Sequence, residues 1–194
     1  MARMKVPSLI LASASPRRAE LLGSAGIPFT VDVANITEDS KPGETPIQHA
    51  ERLAQEKAEV VAKRNSGKIV LGADTIVVVD DQILGKPRDV QDAARMLRLL
   101  SGRNHQVITG VCLARLTTSN QQLATDSART TVHFVPLSAT DIENYIGTKE
   151  PMDKAGAYAI QGIASRWINK IEGDYANVVG LPVALVWKMM QNFT

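Results

Sequence analysis

The chain has 194 residues, 44% hydrophobic and 22% charged, which suits a single globular domain with a sizeable core and excludes an intrinsically disordered chain. Its 22 basic and 20 acidic side chains leave a net charge of +2, so no global field calls for nucleic acid or an anionic membrane, and any electrostatic binding must be local. One cysteine, Cys112, excludes an intrachain disulfide framework and a multi-cysteine zinc site, fits a reducing compartment, and reads as a core residue.

The N-terminal segment MARMKVPSLILASASP has two basic residues and too short an apolar patch for a secretory signal, so it is read as containing the first strand of a cytoplasmic protein. Ser8 to Ala12 reads as that strand, buried. In LASASPRRAELL, residues 11–22, Ser15 suits a helix N-cap and Pro16 the first helical position, with Leu21, Leu22 and Ala25 as the apolar face and Gly26 as the stop. Arg17 and Arg18 then sit at the positive end of a helix macrodipole, where acidic residues are favoured. Ile27 to Val33 reads as a second strand, and NITEDSKPGETP as a polar loop carrying Glu38. Thr45 caps a long helix, about Pro46 to Arg64, whose apolar stripe includes Ala50, Leu53, Ala54, Ala58 and Val61. Lys57 falls on that stripe, so it must meet an anion or snorkel out.

KIVLGADTIVVVDDQILGKP reads as a strand pair with a turn at Asp80 and Asp81, placing Asp74 inside an apolar pattern where an unpaired carboxylate is costly. A helix follows, with Asp89 as N-cap and Gly102 past its end. Gln106 to Leu116 and Leu123 to Val135 form a predicted antiparallel hairpin. Ser138 and Asp141 make a capping box for a further helix. The remainder reads as a glycine-rich loop, a strand around Trp167 to Ile171, another loop, and a closing helix after Pro182. The apolar run Val178 to Trp187 is too short, and too broken by Gly180 and Pro182, to span a bilayer. Helices interleaved with strands, without internal repeats or linkers, predict one α/β or α+β domain over residues 1–194 with a mixed sheet.

The familiar glycine-rich dinucleotide, P-loop and zinc-protease motifs are absent. What stands out are charged residues in apolar context or at element ends: Arg17, Arg18, Glu38, Lys57, Asp74, Lys86, Asp153 and Lys154. Each has two readings. SASPRR is either a capped helix with solvated arginines, or an anion site in which backbone N–H groups, hydroxyls and forked guanidiniums receive a phosphate ester. Lys57 either makes a structural ion pair or faces phosphate, and Lys86 is either a turn lysine or a phosphate ligand. Glu38 and Asp74 together suit a hard divalent cation, since Mg²⁺ favours one or two carboxylates with phosphate oxygens and water. The residues alone reach as far as an enzyme acting on phosphate esters.

Seven ordered blocks, LASASPRRAELL, ITE, RLAQEKA, GADTIVVVDDQILGKP, LSG with HQVITGVCL, DKAGAYAIQG and GDYANVVGLP, closely resemble the Maf family of nucleoside triphosphate pyrophosphatases. The resemblance implies an inosine-triphosphatase-like (Maf/Ham1) fold, with an elongated mixed β-sheet flanked by helices. It implies hydrolysis of a nucleoside triphosphate to monophosphate and pyrophosphate with a divalent metal, Mg or Mn, in the cytoplasm and from a homodimer, with no nucleic-acid or membrane partner. It makes Asp74 the proton acceptor, Glu38 and Asp74 the metal ligands, and Ser13, Arg17, Arg18, Lys57 and Lys86 the phosphate-binding groups. Thr37 departs from the pattern, because the family often has an acidic residue there, and it removes one candidate ligand.

Arg17, Thr75 and Gln161 resemble the dTTP/UTP pyrophosphatase branch, whereas the 7-methyl-GTP branch has an aromatic residue after the proline, SDQ for ADT, and a glutamate near position 161. The Gln161 amide can donate to a pyrimidine O4 and accept from N3–H, and Arg17 can only donate, which disfavours the cytosine amino group. A nucleotide-binding regulator of cell division or septum formation is the competing reading from outside the enzyme class.

Overall fold

The computed structural model of the protein describes residues 6–193; the basic residues Arg3 and Lys5 of the N-terminal segment lie outside them. Its strands are β1 (Leu9–Leu11), β2 (Phe29–Val31), β3 (Ile69–Val79), β4 (Gln82–Leu84), β5 (Asn104–Leu116), β6 (Gln121–Phe134) and β7 (Ile168–Glu172). Its α-helices are α1 (Pro16–Ser24), α2 (Pro46–Ala62), α3 (Val90–Leu100), α4 (Ala139–Gly147), α5 (Tyr175–Val179) and α6 (Val183–Phe193). The sheet order is β2-β1-β3-β5-β6-β7, with β4 paired to β3. Both β1–β2 and β1–β3 are parallel, while β3–β4 and β6–β7 are antiparallel. This is the mixed sheet with flanking helices that the sequence predicts.

Contacts cluster into two units: one comprises the chain up to Asp74, Thr109–Ala128 and the chain from Gly180, and the other Thr75–Ile108 and Arg129–Val179. In the first, successive strand residues enter different cores, as the two-residue period of a strand buried on both faces demands. Leu9, Leu11, Leu71 and Leu113 pack with Leu22 of α1 and Val186, Met190 and Phe193 of α6. Ile10, Ala12, Val70 and Cys112 pack instead with Ala54, Ala58 and Val61 of α2. Each fully buried leucine contributes about 1.5–3 kcal/mol relative to exposure. Cys112 is a core residue as expected, and burial pushes its thiol up to about 11.

Local chemistry accounts for the element ends. In α2, the Thr45 hydroxyl accepts from Gln48 N–H at 3.3 Å while Gln48 Oε1 accepts from Thr45 N–H at 2.9 Å, a reciprocal capping box. Ser138 and Asp141 do the same for α4, and Asp89 caps α3 by accepting from Asp92 N–H at 2.7 Å. Ser15 differs from expectation: it occupies the N-cap of α1 without a side-chain cap bond, and its own N–H donates to the Ser13 hydroxyl at 3.2 Å. Between β3 and β4, Asp80 and Asp81 both have positive φ, 48° and 61°, which gives the two-residue hairpin a twist that suits its strands. Arg103 bonds Asp80 there.

The second unit is built around Val77, Val79, Leu97, Leu100, Phe134, Ile142, Tyr145, Tyr158 and Trp167. Within it, the loop expected after β7 contains the short helix α5, which five residues give too little periodicity to reveal. Its first turn is capped by Asp174, whose carboxylate accepts from Ala176 N–H at 2.8 Å, and Asn177 donates to Val107 O and Thr130 Oγ1, both at 3.0 Å. Among the described residues no helix is long and apolar enough to cross a membrane.

His105 lies in this core at 2% exposure, 2.8 Å from the Tyr158 hydroxyl and edge-on to Phe134 and Tyr158. Burial, with a smaller contribution from His133, pulls its imidazole from 6.5 to about 3. The unfolded chain therefore binds a proton that the folded chain refuses throughout that window, and stability falls as pH drops below 6.5. From pH 7 to pH 5 this one group should remove about 2 kcal/mol, by linkage with an unfolded pKa near 6.5. Urea unfolding of the wild type should show that loss, and His105→Gln should be flatter over the same range; equal slopes would remove His105 as the cause.

Candidate active site

Two glycines set the geometry around Lys57. A Cβ on Gly72 of β3 would lie 2.1 Å from Ala54 O and 2.8 Å from Ala58 N, and one on Gly110 of β5 would lie 2.3 Å from Ala50 O. Only hydrogen at both positions lets the alanine-lined face of α2 rest directly on the two strands. That approach carries Lys57, next to Ala58, to Asp74, two residues beyond Gly72. Both are buried, at 7% and 6% exposure. Lys57 Nζ donates to Asp74 Oδ1 at 2.7 Å and pairs with Glu38 Oε1 at 2.6 Å. The lysine on the apolar stripe has met an anion, and the buried aspartate has found its cation.

Glu38 reaches Lys57 from an irregular loop, with a side chain 53% exposed. The two carboxylates therefore converge on one ammonium, Asp74 from β3 and Glu38 from a segment without helix or strand. Among the described residues no group of three or more His, Cys, Asp or Glu side chains could hold a metal. Glu38 and Asp74 are the two carboxylates that meet here, and both lie on the Lys57 ammonium.

Arg18 is buried at the start of α1. Its Nε donates to Gly180 O at 2.8 Å and its Nη1 to Ser13 Oγ at 3.0 Å, so the guanidinium is not a solvated surface charge. Burial lowers its pKa, Asp74 opposes this, Arg17 reinforces it and Glu38 opposes it again; arginine nonetheless stays charged. Arg17 is half-buried. The first unit thus joins Ser13 to Arg18 and Glu38 to Lys57 and Asp74, and the Coulombic influences on Arg18 link these groups to Arg17.

Thr75, Lys86 and Gln161 belong to the second unit. Thr75 is half-buried on β3, directly after Asp74, while Lys86 and Gln161 are exposed. Gly85, beside Lys86, accepts from Gly156 N–H at 3.0 Å. Gln161 lies between two backbone ties: Ala159 N–H donates to the Tyr145 hydroxyl at 3.2 Å and Ile163 N–H to Glu150 Oε1 at 3.1 Å. Tyr145 in turn donates to Glu150 at 2.9 Å. Asp153 and Lys154, which stand out in the sequence, pair with each other.

Sequence reasoning missed Arg52. It donates from Nε to Glu44 Oε1 at 2.6 Å, from Nη2 to Glu44 Oε2 and Asp39 O at 2.9 Å each, and from Nη1 to Glu56 Oε1 at 3.2 Å. The only sequence signal was its four-residue spacing to Glu56 on one helix.

Residues 8–193 match the model of the Maf-like protein family, and the chain belongs to that family. Two relatives of high similarity, from Koribacter versatilis and Symbiobacterium thermophilum, are both named dTTP/UTP pyrophosphatase. The first is 54% identical over 94% of this chain and 93% of its own length. The second is 52% identical over 95% of this chain and 93% of its own length. The chain is also similar to the solved structure of a Staphylococcus aureus Ham1 protein, with a TM-score of 0.45 and 14% identity over 66% of this chain and 71% of that one.

Because Gly72 sets the distance from α2 to β3, Gly72→Ala should destabilise the fold by about 3 kcal/mol or more, the upper range for forced overpacking. Gly23→Ala, where an added Cβ meets nothing within 4 Å, is the control. Denaturant unfolding of the two variants checks this, and a loss at Gly72 no larger than at Gly23 would show that the helix can move away at little cost.

Proposed function

We propose that this chain is a dTTP/UTP pyrophosphatase, hydrolysing dTTP, UTP and modified pyrimidine triphosphates to the monophosphate and pyrophosphate in a house-cleaning role. The observation that carries the catalytic part is the buried Asp74, held by a lysine that also takes Glu38, beside a buried arginine. The substrate follows from the relatives' name and from Arg17, Thr75 and Gln161. Water attacks the α-phosphorus, the bond from that phosphorus to the bridging oxygen breaks, and pyrophosphate leaves.

Asp74 accepts the proton of the attacking water, a role open to a carboxylate whose other contact is the Lys57 ammonium. Lys57, Arg17, Arg18 and Lys86 bind phosphate charge, and Ser13 supplies a hydroxyl, so that catalysis rests on positioning and electrostatic stabilisation. Glu38 and Asp74 would hold Mg²⁺ or Mn²⁺, which when bound supplies charge neutralisation to the phosphates and acidifies water. Gln161 reads the O4 and N3–H edge of the base, with Thr75 and Arg17 completing the pyrimidine preference. The enzyme is cytoplasmic and homodimeric in this reading, supported by the resemblance, with the buried lone Cys112 consistent with a reducing compartment.

Incubating the purified protein with dTTP, UTP, CTP, purine triphosphates and 7-methyl-GTP, plus Mg²⁺ or Mn²⁺, should release pyrophosphate fastest from dTTP and UTP. Release of orthophosphate, or preference for 7-methyl-GTP, would overturn the reading. Asp74→Asn should lower kcat by about 10² to 10⁴, the range for loss of a general base; near-wild-type turnover would assign the proton to another group.

A further inference from the structure

Glu38 presents a problem of placement. Residues 35–45 contain neither helix nor strand, and an exposed carboxylate on such a segment has many conformers to lose before it can sit 2.6 Å from a buried ammonium. Something must hold the backbone beside it. Asp39 is covalently next to Glu38, and its carbonyl accepts from Arg52 Nη2 at 2.9 Å. The same guanidinium grips both oxygens of Glu44, at the other end of the loop. Glu44 Oε2 also accepts from the loop's own Lys41 N–H at 3.2 Å and lies 3.1 Å from His49 Nδ1. Glu56 anchors the remaining arm of Arg52 to α2 and pairs with Lys41 Nζ at 3.3 Å.

We infer that Arg52 is a positioning residue, which fixes the 39–44 segment to α2 and so delivers the Glu38 carboxylate to Lys57 and Asp74. This rests on the reading of Glu38 as a residue of the active site. The geometry favours arginine specifically. A planar fork can take the two oxygens of Glu44 and a backbone carbonyl at once, whereas a lysine ammonium on a flexible stem cannot hold that fixed set. The bridge is also not the ordinary exposed pair of small worth, since the side chains of Arg52 and Glu44 are only 17% and 9% exposed. Arg52 foremost, with Lys41 N–H and His49 adding and burial opposing, holds the Glu44 carboxyl at about 2, so it remains an anion for the fork.

The test uses the full chain with Arg52→Lys, Glu38→Gln and the double variant, and Glu44→Gln as a second way to break the bridge should Arg52→Lys fold poorly. Without nucleotide, hydrogen exchange over residues 38–45 should quicken at least tenfold in Arg52→Lys and Glu44→Gln, with the amides of the α2 interior unchanged. With dTTP, kcat/KM should fall by about 10- to 100-fold in Arg52→Lys, comparable to the effect of misplacing a catalytic group. The double variant should be no worse than Glu38→Gln, because the positioning residue has nothing left to position. Loop exchange at the wild-type rate, or a double variant whose loss is the product of the two singles, would overturn the inference. Full activity in Glu38→Gln would also overturn it, by removing the carboxylate to be placed, while leaving the assignment of Asp74 to be judged by Asp74→Asn.

Discussion

The Lys57 ammonium, clasped by Asp74 and Glu38, is the interaction on which the rest of the first unit depends. A lysine and an aspartate this deeply buried are tolerable only as a pair, and removing either partner of such a pair leaves a charge whose burial costs about 3–5 kcal/mol. The fold therefore has to bring α2 and β3 close enough for a direct contact. The glycines at 72 and 110 and the alanines at 50, 54 and 58 do this by omitting side-chain bulk where the helix meets the strands. Packing and charge placement are one constraint at this point.

Arg18 extends the same logic to chain topology. It gathers Ser13 before α1, its own position in α1, and Gly180 from the distant end of the sequence. Two arginines at the positive end of a helix dipole are locally unfavourable. The cost is offset for Arg18 by a backbone carbonyl, a hydroxyl and the nearby charge of Asp74 and Glu38. An arriving triphosphate would add further anionic charge to a cluster already rich in donors.

Much of this was legible in the chain itself. The 3.6-residue period put Lys57 on the buried stripe of α2, where it had to meet an anion or snorkel out, and the apolar strand pattern put Asp74 in the interior, where an unpaired carboxylate is costly. Caps at Thr45, Asp89 and Ser138 announced their helices because a side-chain acceptor at that spacing satisfies orphan backbone donors. What stayed hidden was long-range or short. No local pattern says that Arg18 would reach Gly180, or that Arg52 would span a loop to Asp39 and Glu44, because those contacts are decided by tertiary packing. The five-residue α5 carried too few turns for a period, and Ser15 took the N-cap position without a side-chain cap bond. Thr75 and Gln161 were marked only by resemblance to a family, a kind of signal distinct from the hydrogen bonds that join Lys57 to Asp74.

In the proposed reaction, Asp74 and its neighbours direct water to the α-phosphorus of a pyrimidine triphosphate. Hydrolysis of dTTP in ¹⁸O-labelled water, followed by mass spectrometry of both products, reads that choice of atom directly. Attack at that atom places one ¹⁸O in the nucleoside monophosphate and none in the pyrophosphate. Label in the pyrophosphate, or in released orthophosphate, would contradict it.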